Sequence, residues 1–594
     1  MLDKVFKYLS LSKQVNLIGL ILLLLFFSIR NPASKWDKTI SGDGKSYYAY
    51  LTTAFIYHDL DYHFVDNYEA KYYPPDRSLY KEFRQEINGE ISNKTFPGIS
   101  LLWLPFFLIA HILSFLFGFA PDGYSILYQY AIGIAAVFYV WLGIKWLSKL
   151  FISLGYSKKL VVPVIIALIF GTNLFYYTIH DPSLTHAYNF ALLAGILYFS
   201  RRFFLEQKAS LLAVAVSLFV LAVITRPTNA LMLIFIPFAF HSFLDLKVFL
   251  ISIIKSKKHL IISISIPIIL LLYPIIWWYA QTGHFIVYAY GNEGFDFTNP
   301  HIFQILFSYE KGWLVYTPMI FLTVLGFMYY YKRNKLLFYN GLVGFIILAY
   351  IFSCWWIWTY GASFGQRVFV DYYAIVGILL IAGFTLIAAR ERFQIFLSIL
   401  IASLISLNLF QTHQFKNGIL PTIGATSETY WGSYFKLKSI RPSYPITKPY
   451  TIIQQYKTDF ESDTHWLTID TKTDLRASSG TFSQFINHTS PYSGGFKGKI
   501  PASADFIQIT VKVYCESNSA SPQLIYELGS NANNTLYQSK GLMPYLEKNK
   551  WTTVYFTISL EDNSRTNLTT YVYNPTDDNI WIDDLEITFG KHHE

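Results

Sequence analysis

Two cysteines in 594 residues, Cys354 and Cys515, exclude a disulfide framework and a cysteine-based metal site. Charge is scarce as well. Only 14% of the residues are Asp, Glu, Lys or Arg while 53% are hydrophobic, too apolar a balance for one soluble domain. No internal repeat is evident, and so the doubled architecture usual in secondary transporters is not written into the chain. What the chain does contain is a long series of charge-free apolar runs, the mark of an integral membrane protein.

Basic residues exceed acidic ones by 9 over the whole chain, but residues 411–594 hold 16 Lys and Arg against 18 Asp and Glu. The excess therefore belongs to the apolar part, where it sets orientation in a bilayer and implies no nucleic-acid partner. The first apolar run, behind Lys4, Lys7 and Lys13, has no small-x-small cleavage site and is followed by many more, which reads as an anchor rather than a signal peptide.

Apolar runs occupy residues 11–29, 98–121, 124–144, 160–179, 183–200, 209–225, 227–244, 260–282, 312–331, 336–358, 370–389 and 393–411. If all twelve crossed, Lys145, Lys149, Lys158 and Lys159 would face away from the basic N-terminus, against the positive-inside tendency. The run 98–121, with Pro97, Pro105, Gly118 and Pro121 and no room for a turn behind it, is the one to discount as a juxtamembrane or re-entrant helix. About eleven transmembrane helices remain in residues 1–411. The N-terminus then lies in the cytoplasm, and the loops 30–97 and 281–311 lie outside with the C-terminal region.

Residues 412–454, with Pro421, Pro442, Pro445 and Pro449, form a connector. Beyond it the hydrophobic period changes to two. Ile507, Ile509, Val511 and Val513 alternate with Gln508, Thr510, Lys512 and Tyr514, and Val554, Phe556, Ile558 and Leu560 repeat the pattern. Residues 455–594 are accordingly a soluble all-β, jelly-roll-like sandwich on the outer side.

The polar residues of interest gather at outer-face positions. Ser41-Gly42-Asp43-Gly44 presents an acid between glycines just after the first apolar run, although Asp and Gly also build ordinary turns. Lys94 stands before Pro97 and Gly98 at a helix entry, where a cation can meet a phosphate or merely snorkel to water. His180-Asp181-Pro182 makes a tight outer turn with a second carboxylate. Asp43, His180 and Asp181 are candidate ligands for a divalent cation, a cofactor left open because no tight metal-ligand spacing exists. Arg226, in Arg226-Pro227, and Arg367, ending the Gly/Ser-rich loop 361–367, are placed to clamp phosphate. Tyr309-Glu310-Lys311 adds an acid and a base without an assigned role.

Asp43 early in the first outer loop, the Lys94-x-x-Pro97-Gly98 segment and Asp181 after the third span together resemble the GT-C superfamily of polytopic glycosyltransferases. Within it, the bacterial branch related to aminoarabinose transferase and the protein O-mannosyltransferases is the nearest in pattern. The resemblance covers residues 1–411, departing from the pattern in the long stretch between Asp43 and Lys94. It implies transfer of a sugar from a polyprenyl-phosphate carrier to a glycan, lipid or protein acceptor by inverting displacement, at the periplasmic face of a bacterial inner membrane. In that scheme Asp43 is general base or orients the acceptor, and Asp181 assists the acceptor or a cation. Lys94 and Arg367, with Arg226, hold the donor phosphate. The terminal domain resembles carbohydrate-binding jelly-roll modules through Ile580-Trp581-Ile582-Asp583-Asp584. A flippase of lipid-linked sugars and a non-catalytic glycan-binding scaffold are the alternative readings.

Overall fold

The computed structural model describes residues 10–30, 39–72, 83–87, 89–291, 293–388, 391–437, 450–461, 471–517, 520–529, 535–560 and 565–592. The chain divides into two compact units: Met1–Lys416 with Pro421–Gly432, and Asn417–Leu420 with Ser433–Glu594.

The first unit is helical. Its main helices are α1 (Leu11–Ile29), α2 (Asp43–Thr52), α3 (Gly98–Phe117), α4 (Ile126–Ser153), α5 (His186–Glu206), α6 (Ala209–Thr225), α7 (Lys257–Thr282), α8 (Lys335–Ser353), α9 (Tyr373–Ile387) and α10 (Glu391–Lys416). Their ends follow local chemistry. The Ser256 hydroxyl accepts the His259 amide at the start of α7, and Asn334 accepts the Leu337 amide at the start of α8. Gly118 and Gly283 end α3 and α7 at φ 72° and 71°. Helix α7 leaves Ile264, Ile268, Leu272 and Ile276 exposed, an apolar surface that lipid, not water, accommodates.

Among the described residues seven helical stretches are long and apolar enough to cross a bilayer: Leu11–Ile29, Gly98–Phe117, Ile126–Ser153, Lys257–Thr282, Lys335–Ser353, Arg367–Ile387 and Arg392–Lys416. An eighth is obtained if Pro227–Ala239 and Phe243–Lys255, bent by 118°, form one broken span. The expected count of eleven is not reached by this measure. The physical reason is that proline and short breaks interrupt apolar runs that look continuous in sequence. The run 312–331 becomes Trp313–Tyr316, a 3-10 turn Pro318–Leu322 and Thr323–Arg333, while 160–179 divides into Lys158–Phe170 and Leu174–Ile179. By length and apolarity α3 is not set apart from the other candidates. Both of its ends are nevertheless tied to α2. The Tyr50 hydroxyl donates to the Thr95 carbonyl (2.5 Å) ahead of α3, and behind it the Tyr48 hydroxyl donates to the Gly123 carbonyl (2.6 Å).

A hairpin of β1 (Arg84–Ile87) and β2 (Glu90–Asn93) leads to Lys94. The remaining strands belong to the second unit: β3 (Tyr450–Thr458), β4 (Lys472–Thr473), β5 (Ser483–Ile486), β6 (Tyr492–Lys499), β7 (Phe506–Cys515), β8 (Gln523–Gly529), β9 (Thr535–Gly541), β10 (Thr552–Ser559), β11 (Asn567–Tyr573) and β12 (Ile580–His592). They form two antiparallel sheets. One runs β10-β7-β12-β5-β4, with β3 also on β12, and the other runs β6-β11-β8-β9. The period-two residues Ile507, Ile509, Val511 and Val513 are all buried in the core between them, with Leu524, Leu528, Leu568 and Val572 of the other sheet. On β12 the buried positions pass from Ile580 and Ile582 to Leu585 and Ile587, a change of parity at the bulge where Asp584 takes φ 47°. The sheet begins at Tyr450, inside the stretch expected as connector.

Candidate active site

Asp43 is the first residue of α2, reached through Gly42 at φ 53°, a backbone conformation that strains any residue with a side chain. Gly44 answers a different constraint. A Cβ there would lie 2.2 Å from the Ser183 hydroxyl, so glycine is what lets the 180–185 turn close on α2. Ser183 completes the join: its hydroxyl accepts the Ser41 amide and donates to the Ser41 carbonyl, both at 3.2 Å. The two outer acids expected from sequence, Asp43 and Asp181, are thus carried on segments packed directly together.

Arg367, 324 positions along the chain, closes on Asp43, Nη2 donating to Oδ2 at 2.9 Å. Its loop is held rigidly. The Phe364 carbonyl accepts from Tyr177 and Asn173 (both 3.1 Å), and its amide donates to the Tyr177 hydroxyl (2.9 Å). Lys311, unassigned in the sequence, is fully buried and donates from Nζ to the carbonyls of Ser363 (2.5 Å) and Thr422 (2.6 Å). The Asp43 carboxylate keeps 48% of its surface although protein surrounds it closely enough for burial to be the strongest influence on it. It therefore faces a water-accessible recess.

Lys94 is positioned by its neighbours. The Asn93 amide group donates to the Ser46 carbonyl (2.8 Å) and the Thr95 hydroxyl to that of Ser46 (3.0 Å), which pins the segment onto α2. The Lys94 ammonium pairs with Glu293 at 2.5 Å, both side chains about one-fifth exposed (22% and 24%). Arg226 reaches Asp371, 3.5 Å away, and Asp371 is otherwise buried with His186 Nδ1 at 2.6 Å and the Asn189 amide group at 2.9 Å.

Burial pushes the Asp43 carboxyl upward, but the charge and hydrogen bond of Arg367, reinforced by Lys94 and Arg226, more than offset this and hold it below the ordinary carboxylate range. In Asp181 burial prevails over Arg367 and Arg30, with Asp43 adding to it, and the carboxyl is pushed up to about 6. One recess thus sets two acids apart in proton affinity, the arrangement that assigns distinct acid–base roles. Burial lowers His180 to about 3, with Lys416, Arg30 and His413 adding to the effect, so its ring is neutral. That ring stacks on Tyr176. Asp43, His180 and Asp181 do not make a metal-sized group. Among the described residues the ligating atoms that come within 4.8 Å of one another are those of Asp59, Asp61 and His63.

Glu293, Asp371, His186 and Asn189 were not singled out in the sequence, and Lys311 was named there without a role. Asp371 had a legible signal, a lone acid in the apolar run 370–389. Glu293 had none, because its role follows from its distance to Lys94, 199 residues away in the chain.

On the second unit, β6, β11 and β9 carry Tyr492, Tyr571, Tyr573 and Tyr537 on the outward face of the four-stranded sheet, opposite the buried Leu568 and Val572. Ring centroids of Tyr492 lie 5.9 Å from Tyr571 and 5.0 Å from Tyr573.

No protein-family model matches the chain, and no curated protein matches it. Among solved structures, it is similar to the CBM22-1 xylan-binding domain from Paenibacillus barcinonensis Xyn10C. That match has 16% identity and a TM-score of 0.19, and covers 25% of this chain and 100% of that one. The C-terminal family 22 carbohydrate binding module of Clostridium thermocellum Xyn10B gives the same four figures, 16%, 0.19, 25% and 100%. The xylan-binding module CBM15 matches at 14% identity and TM-score 0.17, over 24% of this chain and 99% of that one.

Proposed function

We propose that the chain is a membrane glycosyltransferase that moves a sugar from a polyprenyl-phosphate-linked donor to a glycan, lipid or protein acceptor at the periplasmic face of a bacterial inner membrane. The observation that carries this reading is the recess in which Asp43 and Asp181 differ in proton affinity within the fields of Arg367, Arg226 and Lys94. An acceptor hydroxyl attacks the anomeric carbon as the bond from that carbon to the phosphate oxygen breaks. Its proton passes to Asp181, whose affinity lies nearer neutral pH and suits a base, while Asp43, kept ionised by Arg367, orients the hydroxyl. The three cations stabilise charge developing on the departing polyprenyl phosphate. The tethering of both ends of α3 to α2 supports a helix that lies along the outer face without crossing. The outward tyrosines Tyr492, Tyr537, Tyr571 and Tyr573, amphipathic rings suited to sugar faces, support a role of the second unit in holding a glycan acceptor.

Lipid-linked sugars extracted from cells producing the wild-type chain or Asp43→Asn test this reading. Wild type should deplete one prenyl-phosphate-linked sugar and free the carrier, and Asp43→Asn at equal abundance should not. Identical lipid profiles would refute transfer, and relocation of the lipid across the membrane without cleavage would favour a flippase.

A further inference from the structure

Each of the three cations at the recess already has a carboxylate partner, and the three pairs differ in how readily the partner can leave. Asp371, the partner of Arg226, is buried and also held by His186 and Asn189. Asp43, the partner of Arg367, is fixed at the start of α2. Glu293 is different. It sits on the loop after α7, and among the described residues its carboxylate has one hydrogen-bond partner, Lys94. Its backbone is anchored separately: the Glu293 amide donates to the Tyr290 carbonyl at 3.0 Å, and the next residue, Gly294, accepts the Trp356 amide at 2.9 Å. The side chain can therefore swing away from Lys94 without moving the loop.

We propose that Glu293 is an internal stand-in for the donor phosphate, occupying the Lys94 ammonium in the empty enzyme and exchanged for a phosphate oxygen when the lipid-linked donor enters. This rests on the reading of Lys94 as a donor-phosphate residue. The exchange has a physical logic. An unpaired ammonium only 22% exposed would be costly, whereas a 2.5 Å carboxylate contact keeps it compensated and aimed. A phosphate replaces one anion by another at Lys94, so the ammonium stays compensated at every stage. Glu293 then acts as a positioning and specificity residue, because a neutral headgroup gains nothing from Lys94 that would repay losing the ion pair. The ring of Tyr290, 5.8 Å from Nζ, backs the ammonium in both states.

The test is binding of citronellyl phosphate, a short soluble prenyl phosphate, and of citronellol to the full-length chain in a non-glycosidic detergent, by isothermal titration calorimetry. Glu293→Gln removes the competing charge and keeps the side-chain shape, so it should bind citronellyl phosphate about tenfold more tightly than wild type. Lys94→Ala should weaken binding at least tenfold, and Glu293→Gln should give no gain in the Lys94→Ala background. If Lys94→Ala weakens binding while Glu293→Gln leaves it unchanged or weaker, the stand-in role is wrong and the phosphate site survives. If wild type and Glu293→Gln both fail to distinguish citronellyl phosphate from citronellol, the phosphate site falls and the stand-in role falls with it.

Discussion

Replacing Lys311 by methionine tests how the Arg367 loop is held, whatever the substrate. The lysine is fully buried, and its nitrogen meets two carbonyl oxygens, those of Ser363 and Thr422, and no carboxylate. A neutral amine has two N–H groups, which suits two carbonyls, and the Phe415 ring lies 5.1 Å from the nitrogen. Burial accordingly pushes the group down to about 7, against a smaller upward pull from Glu310 and with Arg367 repelling the charge. Lys311→Met keeps the length of the side chain and removes both donors. A buried carbonyl left unsatisfied costs about 1–3 kcal/mol. Ser363 is buried and Thr422 exposed, so one carbonyl loses its partner at about 1–3 kcal/mol, and the loss shows in full only at high pH, where holding the amine neutral costs nothing. Relative to Lys311→Met, the loop 361–367, the Phe364 amide included, should therefore gain protection from hydrogen exchange as pH rises. The pH dependence follows from the same group. A lysine whose folded value is depressed binds fewer protons folded than unfolded between about 7 and the ordinary lysine value of 10.5, so its contribution to stability grows as pH rises through that window. The slope cannot exceed about 1.4 kcal/mol per pH unit for one proton. Wild-type exchange in this loop should slow from pH 7 to pH 9 after correction for the intrinsic rate, and that trend should vanish in Lys311→Met. Equal protection in both proteins, with the same pH trend, would refute the argument.

Asp43→Asn should lower transfer about 10²-fold, by disordering the acceptor and unpairing Arg367, and should lower the thermal melt modestly, because Asn suits a helix-start turn as well as Asp does but leaves the Arg367 charge without its partner. The transfer rate should rise with pH through about 6 as Asp181 ionises to become a proton acceptor, and a pH–rate profile of Asp181→Asn should be low and lack that limb. Residues 450–594 produced alone should melt cooperatively with β-type circular dichroism, and Ile509→Ala, at a fully buried position of β7, should cost about 2–5 kcal/mol in urea unfolding.

Composition alone called for helices long and apolar enough to cross a bilayer, and the change of hydrophobic period near residue 450 determined a helical part followed by a β-sandwich. Both are properties of local patterning, for which burial of Ile507, Ile509, Val511 and Val513 is the consequence. The parity change at Asp584 lay beyond such patterning, because a bulge depends on the partner strand. The expected count of about eleven spans is not matched by long apolar helices among the described residues for a related reason: hydropathy does not register that Pro227, Pro237 and Pro318 fall within 3-10 segments. At the recess, sequence singled out Asp43, Asp181, Lys94, Arg226 and Arg367 one by one, since a polar group beside an apolar run is costly unless it has work to do. Which of them meet was settled only in three dimensions. Asp43 and Arg367 are 324 positions apart, and Lys94 and Glu293 are 199 apart. Proton affinity was likewise a tertiary matter: Asp43 and Asp181 are the same chemical group, and the difference between them arises from burial and from where the Arg367 guanidinium comes to rest.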